Sequence, residues 1–157
     1  GNPEEGELRP QLLDRFGLSV EVTSPKDIDT RIEVIRRRAA YETGHEAFMA
    51  VWEKKDAALR RKIVKARERL AAMPTPEPFL RDCAELCVAL GADGLRGELT
   101  LLRAARALAA FEGAEAPSRV QLRKVAASAL RHRLRRDPLD EAGSTTRVAR
   151  MLAEVLG

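Results

Sequence analysis

The chemistry-bearing side chains of this sequence are arginines, two of them set apart and the rest in runs. Arg96 stands between Gly94 and Gly97 in "GADGLRGELTLL". A guanidinium in the first turn of a helix, next to outward-pointing backbone amides, forms an anion site. Glycines at 94 and 97 allow another group to come close to the backbone. The same pattern also fits an ordinary loop-to-helix junction. Arg15 sits in "LLDRFG", where Asp14 is an adjacent partner. A local surface ion pair is worth little, so spacing does not choose between that pair and a contact to another molecule. The run "RHRLRRDP", residues 131 to 138, packs four arginines and His132 into six positions, more than a helix end needs to offset its carbonyls. A phosphate or an acidic partner suits it. It lacks interleaved aromatics, which keeps nucleic-acid binding a minority reading. Arg36, Arg37 and Arg38 read as a solvated helix end.

No metal centre can be assembled from spacing. Cys83 and Cys87 lie four apart on one helical face with Phe79, Leu80, Leu86 and Leu90, and read as small core residues. With His45 and His132 elsewhere, they make neither a zinc set nor a disulfide framework, and a reducing cytosol fits. No apolar run approaches the roughly 18 residues of a membrane span, and the first residues lack the order of a signal peptide. A soluble, cytoplasmic protein is expected. The net charge of +4 permits an anionic partner without demanding one.

Positioning these arginines falls to helices. Hydrophobic residues make up 45% of the chain but aromatics only 4%, a mixture that favours helix over strand. Ser24-Pro25 with Asp27 predicts a helix start, followed by a buried stripe of Ile28, Ile32, Ile35 and Ala39 and a stop at Thr43-Gly44. A second helix carries Phe48, Trp52, Leu59, Ile63, Ala66 and Leu70 and closes at Met73. "PTPEP" then breaks the chain. Four helices follow: Phe79 to Leu90, Leu95 to Phe111, Val120 to Arg136 and Ser144 to Leu156. Left-handed glycines are expected at 91, 113 and 143, a helix start at Pro117-Ser118 and a stop at Asp137-Pro138. Short connections make this an antiparallel bundle, with a core from Leu86, Leu90, Leu99, Leu102, Leu122, Val125, Leu130, Val148 and Leu152. Ahead of it all, Leu18 to Val22 alternates as one short strand.

Three segments, "GNPEEGELRPQLLDRFGLSVEV", "DGLRGELTLLRAARALAAFEG" and "HRLRRDPLDEAGS", occur in the order and spacing of a known family. Over essentially its whole length the sequence resembles the magnesium chelatase ATPase subunit, the smaller AAA+ subunit, in its bacteriochlorophyll branch. The resemblance implies a motor that couples ATP hydrolysis to insertion of Mg2+ into protoporphyrin IX. By residue match, Asn2 in "NPEEG" corresponds to the first sensor, which orients the attacking water. Arg15 corresponds to the arginine finger acting on a neighbouring subunit's ATP, with Asp14 at the same interface, and Arg96 to the second sensor. The implied architecture is mainly α: a lid-type four-helix bundle preceded by two helices, with a remnant strand of an AAA+ α/β core. Residues 1–23 would be the trailing edge of that core, 24–73 connecting helices and 74–157 the lid.

The sequence contains no Gly-x-x-x-x-Gly-Lys-Ser/Thr loop. The resemblance therefore implies the C-terminal part of the subunit, with ATP and Mg2+ held mainly by the missing part and the isolated chain inactive. Implied partners are copies of itself in a ring, a second AAA+-like subunit with an integrin-type domain and a large porphyrin-binding subunit. Porphyrin and metal ligands are not expected here. The alternatives are a MoxR-type chaperone, a cobaltochelatase motor, or a non-enzymatic basic helical module.

Overall fold

The computed structural model describes residues 12, 14–20, 22–92, 94–134 and 144–157. Six helices run through them: α1 Ile28–Thr43, α2 His45–Ala72, α3 Glu77–Ala89, α4 Arg96–Glu112, α5 Arg119–Leu130 and α6 Ser144–Leu156. The chain divides into two compact units, Glu21–Lys65 and the combination of Gly1–Val20 with Ala66–Gly157.

In the Glu21–Lys65 unit, the helix start falls three residues later than Ser24. Asp27 caps α1, its carboxylate accepting the Thr30 amide at 2.8 Å and the Thr30 hydroxyl at 2.6 Å. These bonds favour the charged form and lower the Asp27 pKa. Gly44 closes the helix, donating to the Ala40 carbonyl at 3.1 Å. The stripe expected to be buried is not: Ile28 is 66% and Ile35 67% exposed, and α1 buries no residue. Arg36 and Arg37 pair with Glu33, and Arg38 with Glu42, on exposed side chains, but the run lies within α1 rather than at its end, because the helix continues to Thr43 and its last turn holds no basic residue. Tyr41, His45, Phe48 and Trp52 pack edge to face or tilted along successive turns, with Arg37 and Lys55 over the Trp52 ring.

The second unit holds the main core. Leu86, Leu101, Leu122, Leu130, Val148 and Leu156 are fully buried among α3 to α6, with Cys83 and Cys87 beside them. Ala105, Ala126 and Ala129 are also fully buried, and such small side chains let α4 and α5, the most extensively packed pair, approach closely. Leu99 departs from expectation at 46% exposure, because Leu101 and Ala105 face inward on α4 instead. Ser118 caps α5 in a capping box, accepting from the Val120 amide at 3.2 Å while Gln121 accepts from the Ser118 amide at 3.1 Å. Gly113 ends α4 at φ 83°, where an added Cβ would also lie 3.1 Å from the Arg69 guanidinium. Arg106 donates to the carbonyls of Leu70 and Met73, capping the end of α2. Arg119 grips Asp82 with two bonds of 2.7 and 2.9 Å and also reaches the Leu156 carbonyl.

Two further expectations are corrected. Helix α5 ends at Leu130, not at Arg136, and residues 131–134 form turns and a bend in which the Arg133 amide bonds the Leu130 carbonyl at 2.8 Å. The remnant strand is absent among the described residues: Leu18, Ser19 and Val20 have no strand neighbour to pair with, and the Ser19 amide bonds the Ser128 carbonyl at 2.8 Å.

Candidate functional site

The turn around Arg15 is tied down from two sides by the bundle. Among the described residues its own closure is the bond from the Arg15 amide to the Leu12 carbonyl at 3.0 Å. Arg96, the first residue of α4, ion-pairs with the Asp14 carboxylate through Nη1, which also lies 3.5 Å from the Asp14 carbonyl. From the turn after α5, Arg133 Nη1 donates to the Asp14 carbonyl at 3.0 Å and to its Oδ1 at 3.2 Å. Arg133 Nη2 donates to the Phe16 carbonyl at 2.8 Å and to the Thr100 hydroxyl of α4 at 3.3 Å. The Asp14 carboxylate is thus shared between two guanidinium groups whose exposures differ sharply, 55% for the Arg96 side chain and 4% for that of Arg133.

Burial sets the electrostatics of this cluster. It lowers the Arg133 pKa, against the pull of Asp14, yet a guanidinium stays charged at neutral pH. His132 lies with Nε2 3.0 Å from the Phe16 carbonyl and 3.1 Å from Arg133 Nη1. Nε2 can donate to the first or accept from the second, and its buried Nδ1 has no partner among the described residues in either case. Burial lowers the His132 pKa, with the Phe16 carbonyl opposing and Arg133 adding to the shift.

Of the residues singled out from sequence, Asp14 and Arg96 meet directly, with Arg15 beside them. Arg15 is exposed, and among the described residues its side chain has no hydrogen bond or ion pair. Asn2 lies outside the described residues. The two glycines flanking Arg96 serve different ends. Gly94 adopts φ 73° with open space where a side chain would be. Gly97 is buried, and a Cβ there would sit 3.5 Å from Leu130 and 3.6 Å from Cys87. From sequence His132 stood out only within the 131–138 cluster, Arg133 only as one of its four arginines, and Thr100 not at all. The excess of cations in "RHRLRR" was their signal, but which arginine folds inward depends on where α5 stops.

Chemically, a half-exposed guanidinium at a helix start already holding one oxyanion fits a phosphate oxygen equally well. Among the described residues no helix is long and apolar enough to cross a membrane.

Comparison with known proteins gives this geometry a context. The family described as AAA lid domain matches residues 80–153. The magnesium-chelatase 38 kDa subunit of Cereibacter sphaeroides is 69% identical over 99% of this chain and 47% of its own length. That of Rhodobacter capsulatus is 65% identical over 99% of this chain and 45% of its own. A crystal structure of a candidate ATPase from Cytophaga hutchinsonii superposes with a TM-score of 0.68 at 17% identity, covering 94% of this chain and 48% of that one, a likeness of fold. The chain spans about half the length of the curated relatives it matches. Over 99% of its length the chain is similar to magnesium-chelatase 38 kDa subunits, and residues 80–153 match the AAA lid domain family.

Proposed function

We propose that this chain is the C-terminal part of the ATP-hydrolysing AAA+ motor subunit of magnesium chelatase, which drives Mg2+ insertion into protoporphyrin IX on the way to bacteriochlorophyll. The observation that supports the reading is the Arg15 turn: an exposed arginine with no side-chain partner among the described residues, on a loop whose neighbour, Asp14, is held by the Arg96 guanidinium. Arg15 acts as the finger on the nucleotide of an adjacent subunit, and Arg96 as the sensor on its own. A planar, permanently charged guanidinium can stabilise the charge spread over a transferring phosphoryl group, and supplied in trans it is worth about 10³ to 10⁵ in rate. Asn2 serves as the first sensor. Residues 1–23 form the trailing edge of the core, 24–73 the connection and 74–157 the lid.

ATP with Mg2+ is held mainly outside this sequence, which has no phosphate loop. The phosphates supply the anionic charge that Arg15 and Arg96 meet. Partners are further copies in a ring, a second AAA+-like subunit and the large porphyrin-binding subunit, in the cytoplasm. The isolated chain is expected not to turn over ATP, and turnover above a no-protein blank contradicts this. In the full-length subunit, Arg15→Ala is expected to leave nucleotide binding within about twofold while hydrolysis falls at least about 10³-fold. Wild-type turnover in that variant refutes the finger assignment.

A further inference from the structure

We propose that Arg133 is a positioning residue for Arg15, holding the finger's backbone from the lid side; this rests on the reading of Arg15 as the finger. The two arms of its guanidinium take the carbonyls on either side of Arg15, Nη1 that of Asp14 at 3.0 Å and Nη2 that of Phe16 at 2.8 Å. One rigid, planar group therefore fixes the peptide plane that precedes Arg15 and the one that follows Phe16, and so brackets the short backbone stretch that carries the Arg15 side chain.

Three features separate this grip from a generic surface contact. The Arg133 side chain is 4% exposed, so its charge is committed to these acceptors rather than to water. A second bond from Nη2 to the Thr100 hydroxyl fixes the fork to α4, the helix that begins with Arg96. The Asp14 carboxylate lies between Arg133 and Arg96, so a change at Arg96 is felt by the turn that Arg133 holds. Against these, the turn's own closure among the described residues is the Arg15-to-Leu12 backbone bond. Lysine offers one point charge on a flexible stem and cannot hold two carbonyls in a fixed plane.

The test uses the full-length subunit. Misplacing a catalytic group by about 1 Å costs on the order of 10²-fold in rate, so Arg133→Lys is expected to lower kcat for ATP hydrolysis by about 10- to 100-fold with KM for ATP within about twofold. Arg133→Met combined with Arg15→Ala should be no slower than Arg15→Ala alone, since both act through one group. Thr100→Val, which removes only the anchor of the fork, should lower kcat by about 2- to 10-fold and keeps the proposal open to refutation if the Arg133 variants fold poorly. Wild-type kcat in Arg133→Lys or in Thr100→Val overturns the proposal. So does a double variant much slower than Arg15→Ala, which would mark Arg133 as merely structural. If instead Arg15→Ala itself turns over normally, the finger reading fails first and takes this proposal with it.

Discussion

Leu130 is where the bundle core meets the arginine cluster, and Leu130→Ala puts a number on that junction. The side chain is fully buried, its Cδ2 would meet a Cβ at Gly97 at 3.5 Å, and its carbonyl accepts the Arg133 amide at 2.8 Å. Truncation removes three carbons, about 2.4 kcal/mol at about 0.8 per buried CH2. The helices α3 to α6 close around the site on all sides and can collapse only in part. A residual cavity of about 60 Å3 then adds about 1.4 kcal/mol at about 24 cal/mol per Å3. The expected loss is about 3–4 kcal/mol, a large share of a small domain's stability. Urea denaturation followed by helical circular dichroism measures it. Trp52 lies in the Glu21–Lys65 unit, so its fluorescence follows that unit separately. Val120→Ala, at a site 55% exposed on the same helix, should stay within about 0.5 kcal/mol of the parent. A Leu130→Ala loss no larger than that of Val120→Ala refutes the placement of the core.

Two further outcomes follow from burial. His132 faces the Phe16 carbonyl, Asp14, Arg131 and Arg133, and its folded pKa lies below the ordinary 6.5, so the unfolded chain binds a proton that the folded chain resists. Its contribution is complete above that value and is lost as pH falls toward the folded pKa; between about pH 7.5 and 5.5 the parent should lose more stability than His132→Gln. Parallel stability profiles for the two contradict this. Burial, followed by Asp82 and Glu98 for Cys83 and by Glu98 for Cys87, pushes both thiols up to about 12. Thiol reagents near pH 8 should therefore label both slowly in the native chain and quickly in denaturant, because the thiolate is the reactive form. Rapid native labelling contradicts the packing of α3.

What sequence made legible was local chemistry. Three prolines in "PTPEP" could only interrupt a helix, and Ser118 with Gln121 three residues on gave a capping box in the expected place. Gly91 and Gly113 take positive φ as their positions required. What stayed hidden depended on contacts distant in the chain. Nothing in the helix-favouring run "RHRLRR" marks an end at Leu130, because the turn there is held by carbonyls more than a hundred residues away. The Ile28, Ile32 and Ile35 stripe shows the same limit from the other side: periodicity records an apolar face but not what covers it. Alternation over Leu18 to Val22 likewise describes a strand only where a neighbour can pair with it. The arginines expected to act, Arg15 and Arg96, were picked out by the resemblance, since their surroundings in sequence left each open to an ordinary structural role. The one that holds their turn was a single member of a cluster until the fold separated Arg133 from Arg131.

Subunit mixing tests the central claim, that Arg15 serves a neighbour's nucleotide, most directly. Full-length Arg15→Ala subunits, which keep a working phosphate site, are mixed with full-length subunits whose phosphate site is disabled but whose Arg15 is intact. Each is nearly inactive alone, and ATP hydrolysis should reappear on mixing, rising as the two are brought toward equal amounts, because some interfaces then combine a sound phosphate site with a sound arginine. No recovery at any ratio, with mixed assembly verified by size, contradicts an arginine acting across subunits.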